Sequence, residues 1–324
     1  MHIAQTVTAE TKSQDHGDVK MILVTIGIPF VNNENTLADA IRSVFAQTIK
    51  DWELVLVDDG STDRSLKIAE AIKDSRVRVI SDGTNRGLAA RLNQIADIAR
   101  GVYMARMDAD DIMHPERLAQ QIDYLDTNPQ IDIVGTGAYI IDRHNRVTGI
   151  RSTLPLNPTP SAVATGRLFI HPSVTGRTEW FKKNRYDENF LGAEDHELWC
   201  RTLKFSHFGK IVKPLMFYRE NSRNPINYLR HYLKAAHYNR KALLKHGYPL
   251  IGWEKTYALI MKTYIKSGIY TFATLAGMQH LLVQKRNLSL SREELGDATK
   301  MLDNLLNTNV PGLDEIEQSI KEAA

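Results

Sequence analysis

Asp108 and Asp110 stand one residue apart directly after an apolar segment, Val102–Met107, in a chain of 324 residues. At strand spacing, residues two apart project to the same side. Two carboxylates side by side repel unless a cation lies near them. Oxygen donors of this kind suit hard divalent ions such as Mg²⁺ or Mn²⁺, which share a few carboxylates with substrate phosphates. The same Asp-Ala-Asp-Asp stretch also reads as an acidic cap for a following helix. A second acidic pair, Glu194-Asp195, precedes Leu198 and Trp199. It reads equally as a proton acceptor or as acids in the first turn of a helix.

The elements that must position these groups are legible upstream. Ile22–Ile28, Leu54–Val57, Val77–Ile80 and Val102–Met107 are apolar runs rich in β-branched residues. Between them, Leu37, Ile41, Val44 and Phe45 mark one helix face, with Asn35 or Thr36 as candidate cap. Leu66, Ala69 and Ile72 mark a second helix, and Leu88, Leu92, Ile95 and Ala99 a third. Strand and helix alternation predicts an α/β fold: a parallel sheet, buried on both faces, with flanking helices. Ligands of such sheets bind beyond the carboxyl ends of the strands. Polar residues gather at those ends: Pro29–Glu34, Asp58–Ser61, Asp82–Gly87 and Asp108–Asp111. Asp-Gly-Ser-Thr-Asp at 59–63 is also good turn and cap chemistry. Neither Gly-x-Gly-x-x-Gly nor the Walker pattern follows the first strand, which disfavours dinucleotide and P-loop readings.

A further helix is expected from Pro115, with Leu118, Ile122 and Leu125 on its inner stripe, followed by a Pro-rich loop at Leu154–Pro160. His171 lies before a proline in an apolar, strand-like segment. Arg106 and Arg117 read as structural ion-pair partners. Three parts are expected: a loose polar tail over 1–20, an α/β region over 21–222 with halves near 21–112 and 113–222, and a helical region over 223–324.

Hydrophobic residues make up 43% of the chain and charged residues 24%, which argues against disorder. Cys200 is the sole cysteine, so an intramolecular disulfide and a four-cysteine zinc site are excluded. The N-terminal residues lack the apolar stretch of a signal peptide, and no long apolar run predicts a spanning helix. Net charge is only +3, but its distribution is uneven. Arg223–Arg292 holds twelve Lys and Arg against Glu254 alone; from Glu293 onward eight acids face Lys300 and Lys321. Basic residues interleaved with Trp253 and many tyrosines suit contact with an anionic membrane surface. A solvated subdomain or a subunit interface is the alternative. No nucleic-acid motif accompanies the charge, so a nucleic-acid partner is not expected. The sequence sets no oligomeric state.

Five ordered blocks resemble glycosyltransferase family 2: Ile26–Asn32 (IGIPFVN), Ser43–Thr48 (SVFAQT), Trp52–Ser61 (WELVLVDDGS), Asn85–Asn93 (NRGLAARLN) and Ala105–Asp111 (ARMDADD). His171–Val174 (HPSV), Ala193–Arg201 (AEDHELWCR) and Phe217–Arg219 (FYR) extend the likeness to about residue 222. The resemblance implies a GT-A fold, with a Rossmann-like, mainly parallel sheet, and an inverting, metal-dependent enzyme using Mn²⁺ or Mg²⁺. It implies that Pro29 and Glu34 line the nucleotide pocket, with Asp59 near the base and Asp82 and Arg91 completing that wall. Asp108 would hold the ribose and Asp110 the metal. Asp195 would be the general base, and Glu194 would bind acceptor hydroxyls. His171, Tyr218 and Arg219 would approach acceptor or diphosphate, although Tyr218 and Arg219 also read as pinning a last strand.

The Gln-x-x-Arg-Trp pattern usual in processive members is absent, which implies addition of one sugar. The expectation is therefore transfer from a UDP-sugar to a glycan on a polyprenyl diphosphate, on the cytoplasmic, inner face of the cell membrane, in surface polysaccharide assembly. Two rivals stand beside it. A sugar nucleotidyltransferase would want a Gly-rich basic loop after the first strand, where Pro29–Asn35 has no Gly, Arg or Lys. A non-catalytic scaffold would not need Asp59, Asp108, Asp110 and Asp195 intact.

Overall fold

The computed structural model describes residues 21–156, 158–166, 168–220, 224–278 and 287–322. The expected tail over 1–20 and the expected boundary at 222/223 lie outside the described residues.

The first half follows the predicted alternation: β1 (Val24–Phe30), α1 (Leu37–Phe45), β2 (Trp52–Asp58), α2 (Ser65–Glu70), β3 (Val77–Ser81), α3 (Leu88–Ile98) and β4 (Tyr103–Arg106). These strands pair in parallel in the order β3-β2-β1-β4. Strand periodicity divides β2 between two cores. Leu54 and Leu56 join Ile41 and Val44 of α1, whereas Val55 and Val57 join Leu92 and Ile95 of α3. A Cβ on Gly27 would stand 2.5 Å from Ile95 Cγ2, so the glycine lets α3 settle directly on β1.

Beyond β4 the pairing becomes mixed. There follow β5 (Ile112–Met113), α4 (Arg117–Thr127), β6 (Ile133–Ile141), β7 (Val147–Arg151), α5 (Pro160–Ala164), β8 (Thr175–Arg177), α6 (Thr178–Lys183), α7 (Glu194–Thr202) and β9 (Phe208–Arg219). β8 joins β4 to β6 in antiparallel fashion, β9 runs parallel to β6, and β5 lies antiparallel to β9 at the far edge. His171 opens a short 3-10 turn, His171–Ser173, rather than a strand, because the proline that follows cannot donate to a ladder.

The C-terminal region divides in a way its charge reversal foreshadows. Helices α8 (Pro225–Ala242), α9 (Tyr248–Ile251) and α10 (Trp253–Leu275) form the basic part, with α8 and α10 stacked through Tyr232 and Tyr270 at 4.1 Å. The acidic part, α11 (Arg292–Leu306) and α12 (Leu313–Glu322), returns to the sheet region. Ser291 and Glu294 close a capping box at the start of α11. Ala298, Leu302 and Leu305 then pack on Ile112, Ile141 and Phe217, and Leu313 enters the core under α1. Arg42 of α1 bonds Asp314 and Glu317 at 2.6 Å each, and Lys73 pairs with Glu315. Residues of 292–322 thus contribute to the hydrophobic core beside the sheet.

Leu302→Ala should cost about 2–4 kcal/mol in urea unfolding, as for a buried leucine truncated in a close-packed site. A loss below about 0.5 kcal/mol would mean that α11 is only peripherally attached.

Candidate active site

The parallel strands β1, β2 and β4 end at one edge, beside a cleft of about 1010 Å³. Pro29, Asp59, Arg91, Asp108, Asp110 and Glu194 all line it, as do Tyr218 and Arg219.

On the β2 side, Asp58 and Asp59 divide their work. Asp58 accepts from Ser61 N and Ser81 Oγ, at 2.9 and 2.7 Å, and shapes the turn. Asp59 faces the cleft and accepts from Arg86 N (2.7 Å), Gly87 N (3.0 Å) and Arg91 Nε (2.8 Å). Arg91 is fully buried and also bonds Asp82 at 2.7 Å. Asp82 does not line the cleft; it stands behind Arg91, whose guanidinium holds its carboxyl well below the usual range. Glu34, expected in the nucleotide pocket, is absent from the lining. Its carboxylate accepts from Arg64 N at 3.1 Å and Arg64 Nε at 3.0 Å, at the start of α2, and these bonds lower its pKa. The orphan amide of a helix start outcompeted the cleft for that carboxylate.

The acidic loop after β4 is held by Arg106 and Arg219. One carboxylate oxygen from each of Asp108, Asp110 and Asp111 lies within 4.8 Å of the others. Asp108 is gripped in bidentate fashion by the buried Arg106, at 2.6 and 3.1 Å. Asp111 Oδ1 accepts from Arg219 N at 2.9 Å, while its Oδ2 is buried without a hydrogen-bond partner. Burial, with Asp110 and Asp108 adding to it, pushes the Asp111 carboxyl well above its usual range. A buried orphan carboxylate oxygen beside two further carboxylates is the donor set that a hard divalent cation fits. Asp111 is thus a member of the cluster that the two-residue spacing rule did not select. Its amide donates to Asp108 O at 3.2 Å, so the chain has already turned and strand periodicity no longer applies.

Arg219 anchors this loop. Its Nε donates to Asp110 O at 2.7 Å and its Nη1 to Asp142 O at 3.0 Å, which ties the loop to the end of β9. Tyr218 stands beside it, with the Arg151 guanidinium over its ring. Arg106 forms its expected ion pair, with Asp108, but Arg117 has no carboxylate partner among the described residues. Its buried guanidinium bonds Gln121 Oε1 and the carbonyls of Arg106 and Val174, and burial pushes its pKa down to about 9.

The second acidic pair opens α7. Glu194 is buried at the cleft wall, and its Oε2 accepts from Gly192 N at 2.7 Å. Burial, with the neighbouring Asp195, pushes its carboxyl up to about 7. Asp195 is half-buried and is not part of the lining; its Oδ1 accepts from His196 N at 2.7 Å. His196 in turn bridges Asn239 of α8 and Ala164 O of α5, which fixes the start of α7. His171 lies outside the lining, buried 2.9 Å from Tyr186 Oη, and burial drives its pKa well down. Part of the remaining wall comes from α8, with Tyr228, His231 and Lys234 among its lining residues. No local motif marks these three residues; only the packing of α8 brings them to the cleft.

The raised Glu194 carboxyl has a consequence for stability. Its ordinary value is 4.5, so below that pH both folded and unfolded states are protonated. As pH rises toward 7 the unfolded state ionises first, and folding is penalised. Glu194→Gln should therefore stabilise the protein at pH 8 by roughly 2 kcal/mol, and much less at pH 4. Urea titrations at both pH values test this; an equal gain at both would rule out charge burial as the cause.

Comparison with known proteins agrees with this geometry. The description Glycosyl transferase family 2 matches residues 25–190. EpsE of Bacillus subtilis, named as a glycosyltransferase, is 38% identical over 184 residues, which is 55% of this chain and 66% of that protein. The Methanocaldococcus jannaschii protein MJ1057, named as an uncharacterized glycosyltransferase, is 30% identical over 241 residues, covering 71% of this chain and 81% of its own. Among solved structures, residues 1–349 of S. aureus TarS in complex with UDP superpose with a TM-score of 0.54, at 17% identity and 92% coverage of both chains. The UDP-GlcNAc complex of the same protein gives 0.53 at 16% identity and equal coverage. The sheet, the cleft at its carboxyl edge and the sequence match together assign this chain to glycosyltransferase family 2, on a GT-A fold.

Proposed function

We propose that the chain transfers a single sugar, with inversion, from a UDP-sugar to a glycan acceptor borne on a polyprenyl diphosphate. The observation that carries this reading is one cleft lined by two unlike acidic centres: the Asp108–Asp110–Asp111 cluster and the Glu194 carboxyl at the start of α7. Inversion needs the leaving diphosphate and the attacking hydroxyl on opposite faces of the sugar, and a site with separate acidic centres supports that division. The UDP and UDP-GlcNAc complexes of TarS support the donor class. The basic α8–α10 region supports a position on the inner face of the cell membrane, within surface polysaccharide assembly.

In this scheme Pro29, Asp59 and Arg91 receive the nucleotide, with Asp82 holding Arg91 in place. Asp108, oriented by Arg106, takes the ribose. A divalent cation, Mn²⁺ or Mg²⁺, held by Asp110 and Asp111 with Asp108, would neutralise charge developing on the diphosphate. The acceptor hydroxyl attacks the anomeric carbon; the carbon–oxygen bond to the diphosphate breaks as the new one forms. Asp195 accepts the hydroxyl proton. Glu194, its carboxyl raised to about 7, carries a proton over much of the neutral range and donates a hydrogen bond to the acceptor. Tyr218 completes the wall on the acceptor or diphosphate side. Arg219 acts as a positioning residue through Asp110 and Asp111, and His171, bonded to Tyr186 outside the lining, has a structural role.

Calorimetric titration with UDP and GDP, with and without Mn²⁺, tests the reading. Metal-dependent preference for UDP is expected. Asp110→Asn should weaken metal-dependent UDP binding by about tenfold or more, the loss of one charge-assisted contact. Asp195→Asn should bind donor normally while turnover falls by about 10²–10⁴. Normal turnover in the Asp195 variant would remove the base assignment. Preference for GDP would change the donor, and no nucleotide binding by folded protein would favour a scaffold.

A further inference from the structure

The longest helix presents its apolar side to solvent. On α10, at 3.6 residues per turn, Trp253, Tyr257, Tyr264, Ile265, Phe272 and Leu275 fall within about a third of the helix circumference. All are exposed, Trp253 by 65%, Phe272 by 71% and Leu275 by 82%. The stripe runs the whole helix, roughly 35 Å at 1.5 Å per residue. Lys262, Lys255 and Lys266 lie in turn about 60–100° of arc beyond one edge of it, past the exposed Ile269. Residues 224–278 carry eight Lys and Arg against Glu254 alone, and Glu254 lies in the first turn, where the helix dipole favours an acid. Soluble surfaces rarely expose a continuous apolar stripe of this length without a partner. Among the described residues no helix is long and apolar enough to cross a membrane.

The geometry points to α10 lying in the plane of an anionic phospholipid bilayer, its stripe sunk into the headgroup boundary and its lysine border on the phosphates. Charge decides between this occupant and a second copy of the chain. A two-fold pairing of α10 stripes would bring together two regions that each carry eight Lys and Arg against Glu254 alone, whereas an anionic surface complements that charge. Tyrosine and tryptophan within the stripe suit the headgroup depth.

This deepens the membrane part of the proposed function, because α10 is tied to the cleft. Tyr270 stacks on Tyr232, and Tyr264 lies 4.2 Å beneath the Arg240 guanidinium, so α10 rests directly on α8. α8 in turn lines the cleft with Tyr228 and Lys234. Packed helix axes lie about 8–10 Å apart, so docking of α10 brings the cleft's α8 wall to the bilayer surface. A glycan on a lipid diphosphate anchored in that bilayer would meet the cleft there.

The full chain should bind vesicles of phosphatidylcholine with phosphatidylglycerol and not vesicles of phosphatidylcholine alone. Trp52, Trp180 and Trp199 are buried, so quenching of tryptophan emission by brominated acyl chains reports on Trp253. Quenching on the anionic vesicles is expected. Lys255→Glu with Lys262→Glu should weaken vesicle binding roughly tenfold or more, and Phe272→Ser with Leu275→Ser should abolish the quenching. UDP binding, measured in solution on each variant, should stay unchanged, which separates failure of the docking surface from failure of the donor reading. Absence of anionic-vesicle binding by nucleotide-competent protein would overturn the inference. So would sedimentation equilibrium showing a dimer that Phe272→Ser dissociates.

Discussion

Three carboxylates held within 4.8 Å of one another cost energy unless positive groups surround them. At an effective dielectric of about 20, each pair of full charges at that range repels by roughly 3 kcal/mol. Much of the region around the cleft answers this constraint. Arg106, at the end of β4, grips Asp108. Arg219, at the end of β9, holds the Asp111 carboxylate with its amide and the Asp110 carbonyl with its side chain. Both arginines are buried, so their charges act in a medium that screens them poorly. The short strand β5 pairs with β9 immediately after the loop and locks the two anchors in register.

The same logic runs through the β2 side of the cleft. Asp59 lines the cleft while bonded to a buried Arg91, and Asp82 holds that arginine from behind. Charged residues here are arranged in depth: those at the cleft are fixed by partners in the core, and those partners are fixed by others. Such a wall presents oriented acceptors without reorganising, which is the condition for electrostatic stabilisation of a charged substrate.

The acidic C-terminal helices extend the core rather than end it. Leu302 and Leu305 cover Ile112 and Phe217, which lie on the two strands that flank the metal-type cluster. Three of the eight acids from Glu293 onward, Asp314, Glu315 and Glu317 of α12, meet basic residues of α1 and of the turn after α2, Arg42 and Lys73. The basic hairpin of α8 and α10 interrupts this return and stands between the cleft and an exposed apolar face.

Period and composition determined much by themselves. Apolar runs at β1, β2, β3 and β4 and helical stripes at α1, α2 and α3 follow local rules, because burial on both faces of a parallel sheet leaves a continuous hydrophobic signal. The ordered blocks from Ile26 to Asp111 were enough to recognise the family. Tertiary structure decided what each polar residue does, because a side chain's partner is set by what folds against it. The resemblance implies a place for Glu34 in the nucleotide pocket, yet its carboxylate pairs with Arg64. Asp111 was hidden by a turn that breaks strand periodicity. Tyr228 and Lys234 reached the cleft only because α8 packs across α7, through contacts such as His196 with Asn239, more than forty positions apart in the chain. Local pattern encodes which residues are buried, whereas the site is assembled from long-range contacts that no local pattern carries.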